Sequence, residues 1–232
     1  MDARRCNKIK MCRVRAGLIL TCATAMRIIG GTASGRILKA PRGFEVRPTP
    51  DLVRQAIFNS LGARVIGARV LELFAGTGAL SLECLSRGAA SALCIEKSNK
   101  HAAFIRQNFQ ALETSPAQLQ IRVQDAFVAL AQLAATAQQF DLILADPPFG
   151  EKNVNRRSTS CAQQLLDDKN LPAVCASGGI FILGHSRRDT LSLTISATDS
   201  AAPSPLAWHE FKALRHGDSV IKFFRLPSAA AP

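Results

Sequence analysis

The chain predicts an α/β fold, a mostly parallel sheet with helices on both faces and a small β-hairpin at the N-terminal end. Three observations lead there. From Val70 onward, short apolar runs alternate with longer stretches of helical periodicity. Two of those runs end in loop signatures, Glu72-Leu73-Phe74-Ala75-Gly76-Thr77-Gly78 and Asp146-Pro147-Pro148-Phe149. Ahead of them, Arg27 to Gly31 and Arg36 to Ala40 read as strand-like runs around Thr32-Ala33-Ser34-Gly35, a hairpin signal.

The elements follow in order. Thr49-Pro50-Asp51 opens a helix, with Thr49 as N-cap, Pro50 at the first helical position and Asp51 at the positive dipole end. Leu52, Val53, Ala56, Ile57 and Leu61 mark its apolar face, and Gly62 stops it. Strands are expected at Val70–Phe74, Ser91–Ile95, Leu119–Val123, Phe140–Ala145 and Gly179–Leu183. Helices are expected at Ala79–Ser86 (closed by Gly88), Lys100–Leu112, Phe127–Ala137 and Cys161–Leu166. In the third helix Ala103, Ile105, Phe109 and Leu112 point inward. The tail adds strand runs at Leu191–Ser196 and Ser219–Leu226, which pair as an antiparallel edge hairpin across a loop at Ala197–Pro205. This succession of β-α units gives the parallel sheet its two helical layers.

At 232 residues with 47% hydrophobic content, the chain suits one α/β domain and excludes wholesale disorder. Three segments are distinguished: residues 1–25, a basic extension; 26–48, the hairpin; and 49–232, the main domain. The extension pairs a basic run with a short apolar stretch, resembling a targeting peptide but too short to span a membrane. The preferred reading is that the functional unit starts at Met26. Seven cysteines without a C-x-x-C pair argue against a disulfide framework or zinc site, and for a reducing compartment. Cys84 and Cys94 read as small hydrophobes. The four histidines show no metal-ligand spacing and read as surface or packing residues.

Charge is the more telling bound. The net charge of +12 divides into +5 over residues 1–25, +6 over 27–69 and only +1 over 70–232. A basic N-terminal part on a neutral domain points to a polyanion, most simply nucleic acid, against the plainer reading of a solvated surface. Arg27, Arg36, Lys39, Arg42, Arg47 and Arg54 are the candidate phosphate contacts.

The loops carry the chemistry. Gly76 and Gly78 allow a sharp turn and close approach to a ligand. The full G-x-G-x-x-G fingerprint fails at Ser81, which argues against NAD. Glu96, ending the second strand, can accept both hydroxyls of a ribose. Asp125 can accept from an adenine amine, and Glu72 can receive an ammonium group. S-adenosylmethionine carries all three features. In the second loop, the Asp146 carboxylate and Pro147 carbonyl can accept the two N–H groups of an exocyclic base amine. The prolines stiffen the loop, and Phe149 offers a stacking face.

These residues resemble class I S-adenosylmethionine-dependent methyltransferases, and more narrowly the bacterial family that methylates N2 of a guanine in 16S ribosomal RNA. The narrower likeness rests on Arg27-Ile28-Ile29-Gly30-Gly31 with Gly35-Arg36, on Arg47-Pro48-Thr49, and on Val53-Arg54 with Phe58-Asn59. It implies a Rossmann-like seven-stranded sheet, its last strand inserted antiparallel, and a hairpin that contacts RNA. It also implies cofactor contacts at Glu72, Ala75, Gly76, Gly78, Glu96, Lys97, Asp125 and Ala126, and a guanine held by Asp146, Pro147 and Phe149. The implied substrate is 16S rRNA in a partly assembled small subunit, acted on by a cytoplasmic monomer without metal or membrane. The chain departs from the pattern in its first 25 residues, in the Thr32-Ala33-Ser34 turn and in having no tyrosine. Two alternatives stand beside this reading. A DNA adenine-N6 or cytosine-N4 methyltransferase shares the proline loop but carries a target-recognition domain for which there is no room here. A non-catalytic RNA-binding assembly factor would not need both loops.

Overall fold

The computed structural model describes residues 26–41, 49–112, 115–150, 153, 157–193 and 208–227. Five strands run parallel: β1 (Arg69–Leu73), β2 (Ser91–Glu96), β3 (Leu119–Val123), β4 (Phe140–Ala145) and β5 (Cys175–Ser186). β6 (His209–His216) and β7 (Ser219–Arg225) are antiparallel partners, and β7 also pairs antiparallel with β5. The order across the seven-stranded sheet is β3-β2-β1-β4-β5-β7-β6. The last strand is thus inserted antiparallel, as the resemblance implies.

Period-2 alternation sends the strand residues into two cores. Val70, Leu142, Leu144, Ile180 and Ile182 pack on one face, against α1 (Asp51–Leu61), α2 (Ala79–Ser86) and the N-terminal segment. Leu71, Leu73, Ile143, Phe181 and Leu183 pack on the other, against α4 (Ala126–Ala135), α5 (Cys161–Asp167) and α6 (Leu171–Val174). Burial on both faces explains why the central strands read as unbroken apolar runs. α3 (Asn99–Gln110) lies beside β3 and buries Ala102, Ile105 and Asn108. Among the described residues, no helix is long and apolar enough to cross a membrane.

The tail corrects one expectation. Leu191 to Leu193 form no strand, and residues 194–207, including the rest of that run and the expected loop, lie outside the described residues. The edge strand is His209–His216, whose two faces are both largely exposed, so it lacks the alternation that marks a half-buried strand. α1 also turns differently: Val53, Arg54, Ile57, Phe58 and Leu61 are buried, while Leu52 is 70% exposed.

The expected hairpin is a docked strap more than a ladder. A single antiparallel bridge, Arg27 with Ile37, joins its arms. Backbone bonds from Ile28, Gly35 and Leu38 also link the arms, to Arg36, Ile28 and Met26 carbonyls, and other backbone groups bond to the domain. Glu83 of α2, fully buried, accepts from the amides of Ile29 (2.7 Å) and Gly30 (2.8 Å) and from Nε of Arg87 (2.7 Å). Ser86 accepts from Thr32 N through its carbonyl and from Ala33 N through its hydroxyl. Asn108 of α3 bonds both the amide and the carbonyl of Lys39. Gly31 sits at φ +79°, and a Cβ there would overlap the Ser86 carbonyl. Backbone polar groups brought against a core need partners, and here buried side chains supply them.

Gly31→Ala is expected to destabilise the protein by about 2 kcal/mol or more. It should also strip hydrogen-exchange protection from the Ile29, Gly30 and Thr32 amides. Wild-type protection at these amides in the variant would contradict the docking described.

Candidate functional site

In an open α/β sheet, ligands bind beyond the C-terminal strand ends where the strand order reverses. Here the reversal lies between β1 and β4. The loops after these strands, beginning at Phe74 and Asp146, flank one cavity of about 670 Å³. One half is lined by Gly76, Glu96, Lys97, Ser98, His101 and Asp125; the other by Thr49, Asp146, Pro147, Phe149 and Ser219. The two sequence signatures therefore share a single crevice.

The first half is built by a tight turn. Gly76 (φ +55°) and Gly78 (φ +75°) both adopt the left-handed conformation. A Cβ on Gly78 would come within 2.9 Å of Ile105, so glycine there lets the turn close on α3. Glu96 ends β2 and is 8% exposed. Its Oε2 accepts from Gly76 N (2.7 Å) and its Oε1 from Ser98 N (2.8 Å). A carboxylate oxygen accepts more than one hydrogen bond, so both oxygens retain capacity toward vicinal hydroxyls. Asp125 caps α4 by accepting from Phe127 N (3.0 Å) and lies 3.5 Å from Lys97 Nζ. The cavity's Phe74, Ile95 and Phe127 supply apolar wall beside these carboxylates. A flat heterocycle with a diol fits this donor set, so the residues present suit an adenosine-bearing cofactor.

Several expectations move. Glu72 does not line the cavity. It is buried, and its Oε2 accepts from Ser81 N at the start of α2 (2.9 Å) and lies 3.8 Å from Cys94 Sγ. Desolvation raises its pKa to about 7. Ala75, Gly78 and Ala126 divide: Ala126 lines the cavity, whereas Ala75 and Gly78 lie behind it in the turn. His101, read from sequence as surface or packing, lines the cavity with Nδ1 3.5 Å from Glu96. Its place one turn into α3, after a strand-end carboxylate, was the available signal. Phe74, which the motif does not single out, also lines the cavity; it takes a left-handed conformation (φ +57°) and meets Phe127 edge to face at 6.2 Å.

In the second half, the Asp146 carboxylate is held from two sides. Thr49 Oγ1 donates to its Oδ2 at 2.6 Å. On the other side lies Gly184 of β5, where a Cβ would overlap Asp146 Oδ1. The Thr49 bond overturns the expected cap: Pro50 occupies the N-cap position of α1, with no side-chain cap bond, and the threonine serves Asp146 instead. Pro147 is buried, whereas Phe149 is 41% exposed at the cavity wall.

The basic residues separate. Arg27 and Lys39 are exposed, and Arg36 is partly exposed. Arg42 and Arg47 lie outside the described residues. Arg54 cannot meet a phosphate from its place, because it is fully buried. Its Nη2 donates to the Arg27 carbonyl (2.5 Å) and to Asp51 (2.7 Å), and Asp51 also pairs with the Arg27 side chain at 3.3 Å. Arg54 thus belongs to the strap's anchorage. A basic residue on a helix that also buries its neighbours gives no sequence signal of which way it points. Among the described residues, no group of three or more His, Cys, Asp and Glu side chains could hold a metal ion.

Known proteins resemble this chain over most of its length. The family model described as "Conserved hypothetical protein 95" matches residues 26–195. "Putative rRNA methyltransferase YlbH" of Bacillus subtilis is 34% identical over 170 residues, covering 73% of this chain and 88% of that protein. "Ribosomal RNA small subunit methyltransferase D" of Escherichia coli is 39% identical over 124 residues. That match covers 53% of this chain and 60% of the E. coli protein, less than two thirds of its length. The solved structure of "Putative methyltransferase yhhF from Escherichia coli" superposes with a TM-score of 0.65 at 27% identity, over 88% of this chain and 99% of that one.

The buried Glu72 sets a pH signature. An unfolded glutamate titrates near about 4.3, so between that pH and about 7 the folded protein holds a proton the unfolded chain has released. Stability from the protonated side chain is present at low pH and lost as pH rises through about 7. Glu72→Gln, neutral throughout, is expected to exceed wild type by roughly 3–4 kcal/mol at about pH 8 and to match it near about pH 4. Urea unfolding at the two pH values checks this; an equal difference at both would contradict it.

Proposed function

The chain belongs to the conserved hypothetical protein 95 family, and on that premise we propose that it transfers a methyl group from S-adenosylmethionine to the exocyclic N2 of a guanine in 16S ribosomal RNA. The observation that carries this reading is the single cavity joining the Glu96–Asp125 pocket to Asp146-Pro147-Pro148-Phe149. An adenosine-bearing methyl donor and a planar amine can be held there side by side. The relatives named as ribosomal RNA methyltransferases support RNA over DNA as the substrate. The exposed Arg27 and Lys39 on the strap support a phosphate-rich partner. The guanine is presented by a partly assembled small subunit, in which that base is still accessible.

The cofactor, when bound, supplies a methyl group already activated by its sulfonium charge. The protein's part is placement. Glu96 receives the ribose hydroxyls, and the Gly76 turn keeps side chains out of the way. The base stacks against Phe149, which lines the cavity wall and is 41% exposed. A base amine is a weak nucleophile because its lone pair is delocalised into the ring. Asp146 and the Pro147 carbonyl accept its two N–H groups, which favours the pyramidal nitrogen that can bond carbon. As the nitrogen gains the methyl group it gives up one proton, which leaves on the Asp146 side. Positioning and charge complementarity are sufficient; no protein nucleophile takes part.

Asp146→Ala is expected to lower kcat by roughly 10²–10⁴-fold while calorimetric affinity for S-adenosylhomocysteine stays within about twofold. The assay is transfer of labelled methyl to small subunits from cells lacking the enzyme, followed by nucleoside analysis for N2-methylguanosine. Unchanged turnover, or label on another atom, would overturn the reading.

A further inference from the structure

We propose that Thr49 is a positioning residue for this reaction: its hydroxyl fixes the Asp146 carboxylate in the orientation that receives the substrate amine. The inference rests on the function proposed above and adds a residue outside the proline loop. A threonine just ahead of a helix ordinarily accepts from that helix's own amides. Thr49 instead donates its hydroxyl hydrogen to Asp146 Oδ2 at 2.6 Å, across 97 positions of sequence. A short bond from a neutral hydroxyl to a carboxylate is charge-assisted and directional.

The restraint matters because of what aspartate is. Its terminal torsion is broad, so a strand-end carboxylate beside an open cavity samples many orientations. Thr49 and Gly184 both restrict that freedom. Gly184 presents bare backbone to Oδ1, in space a Cβ would fill, and the Thr49 hydroxyl takes one acceptor direction of Oδ2. Thr49 and Asp146 both line the cavity, so the restraint acts at the amine site itself. The support for Thr49 is itself shared. It lies two residues before Asp51, which holds both the Arg27 side chain and the buried Arg54. The start of α1 therefore anchors an exposed basic residue of the strap and the acceptor of the amine together.

The test compares Thr49→Val, which deletes the hydroxyl at nearly constant volume, with Thr49→Ser, which keeps it. Thr49→Val is expected to lower kcat by about 10–100-fold, the size expected of a small misplacement at a reacting centre. KM for the small subunit and affinity for S-adenosylhomocysteine should stay within about twofold of wild type, and Thr49→Ser should retain kcat within about threefold. In the Asp146→Asn background, Thr49→Val should add less than about twofold, because both changes act on one contact. A readout independent of turnover is the cofactor-free crystal structure, in which the Asp146 carboxylate rotates in Thr49→Val and stays in place in Thr49→Ser. The proposal is overturned if Thr49→Val keeps wild-type kcat, if Thr49→Ser falls as far as Thr49→Val, or if Asp146 does not move. Absence of guanine-N2 methylation by the wild type would instead overturn the enzyme reading, and the crystal comparison would still report on the restraint.

Discussion

The Asp146 carboxylate must sit at the end of β4 with backbone on one side and a donor on the other, and much of the domain serves that requirement. The parallel pairing of β1 with β4 puts the cofactor turn and the proline loop at one reversal point of the sheet. The pairing of β4 with β5 brings Gly184 against the carboxylate. The packing of α1 against β1, β4 and β5 residues on the same face delivers Thr49. Three separate elements thus converge on two oxygen atoms. Interiors packed to crystal-like density transmit such placements faithfully, so the catalytic geometry follows from ordinary core packing.

The cofactor side is organised by a second set of carboxylates, each with a different task. Glu72 is buried beneath the turn and secures the start of α2. Glu96 spans the turn and the start of α3 while keeping acceptor capacity toward the cavity. Glu83 serves neither ligand and instead gathers the amides of the N-terminal strap. Burial of three acids is tolerable because each is met by backbone N–H groups, which costs far less than leaving the charge unpaired. The strap is consequently fastened to α2, the helix that follows the Gly76-Thr77-Gly78 turn, so the exposed Arg27 and Lys39 are held in fixed relation to the cavity.

Much of this was legible in the sequence. Six strands and most helices lie within a few residues of their expected positions, because buried strands leave strong apolar runs. The two loops were found because glycine and proline announce turns, and their meeting followed from strand order. Thr49 looked like a cap because local sequence cannot show a bond made to a residue far along the chain. Arg54 looked like an RNA contact because charge says nothing of direction, and only the tertiary fold turns it under the strap. Glu72 looked like a ligand residue by its place at the strand end, yet its alternating position points it into the helix-covered face. Gly184 gave no signal at all, since its purpose is a space filled by another residue. The edge strand His209–His216 was overlooked because an exposed strand lacks the alternation that betrays a half-buried one.

The central claim is that one cavity brings a methyl donor to the exocyclic amine of a guanine. The most direct measurement is mass spectrometry of 16S rRNA from cells lacking this chain. The account predicts the loss of a single N2-methylguanosine, restored by the wild-type gene and not by one carrying Asp146→Ala. A complete set of N2-methylguanosines in the deletion strain, or restoration by the Asp146→Ala gene, would contradict it.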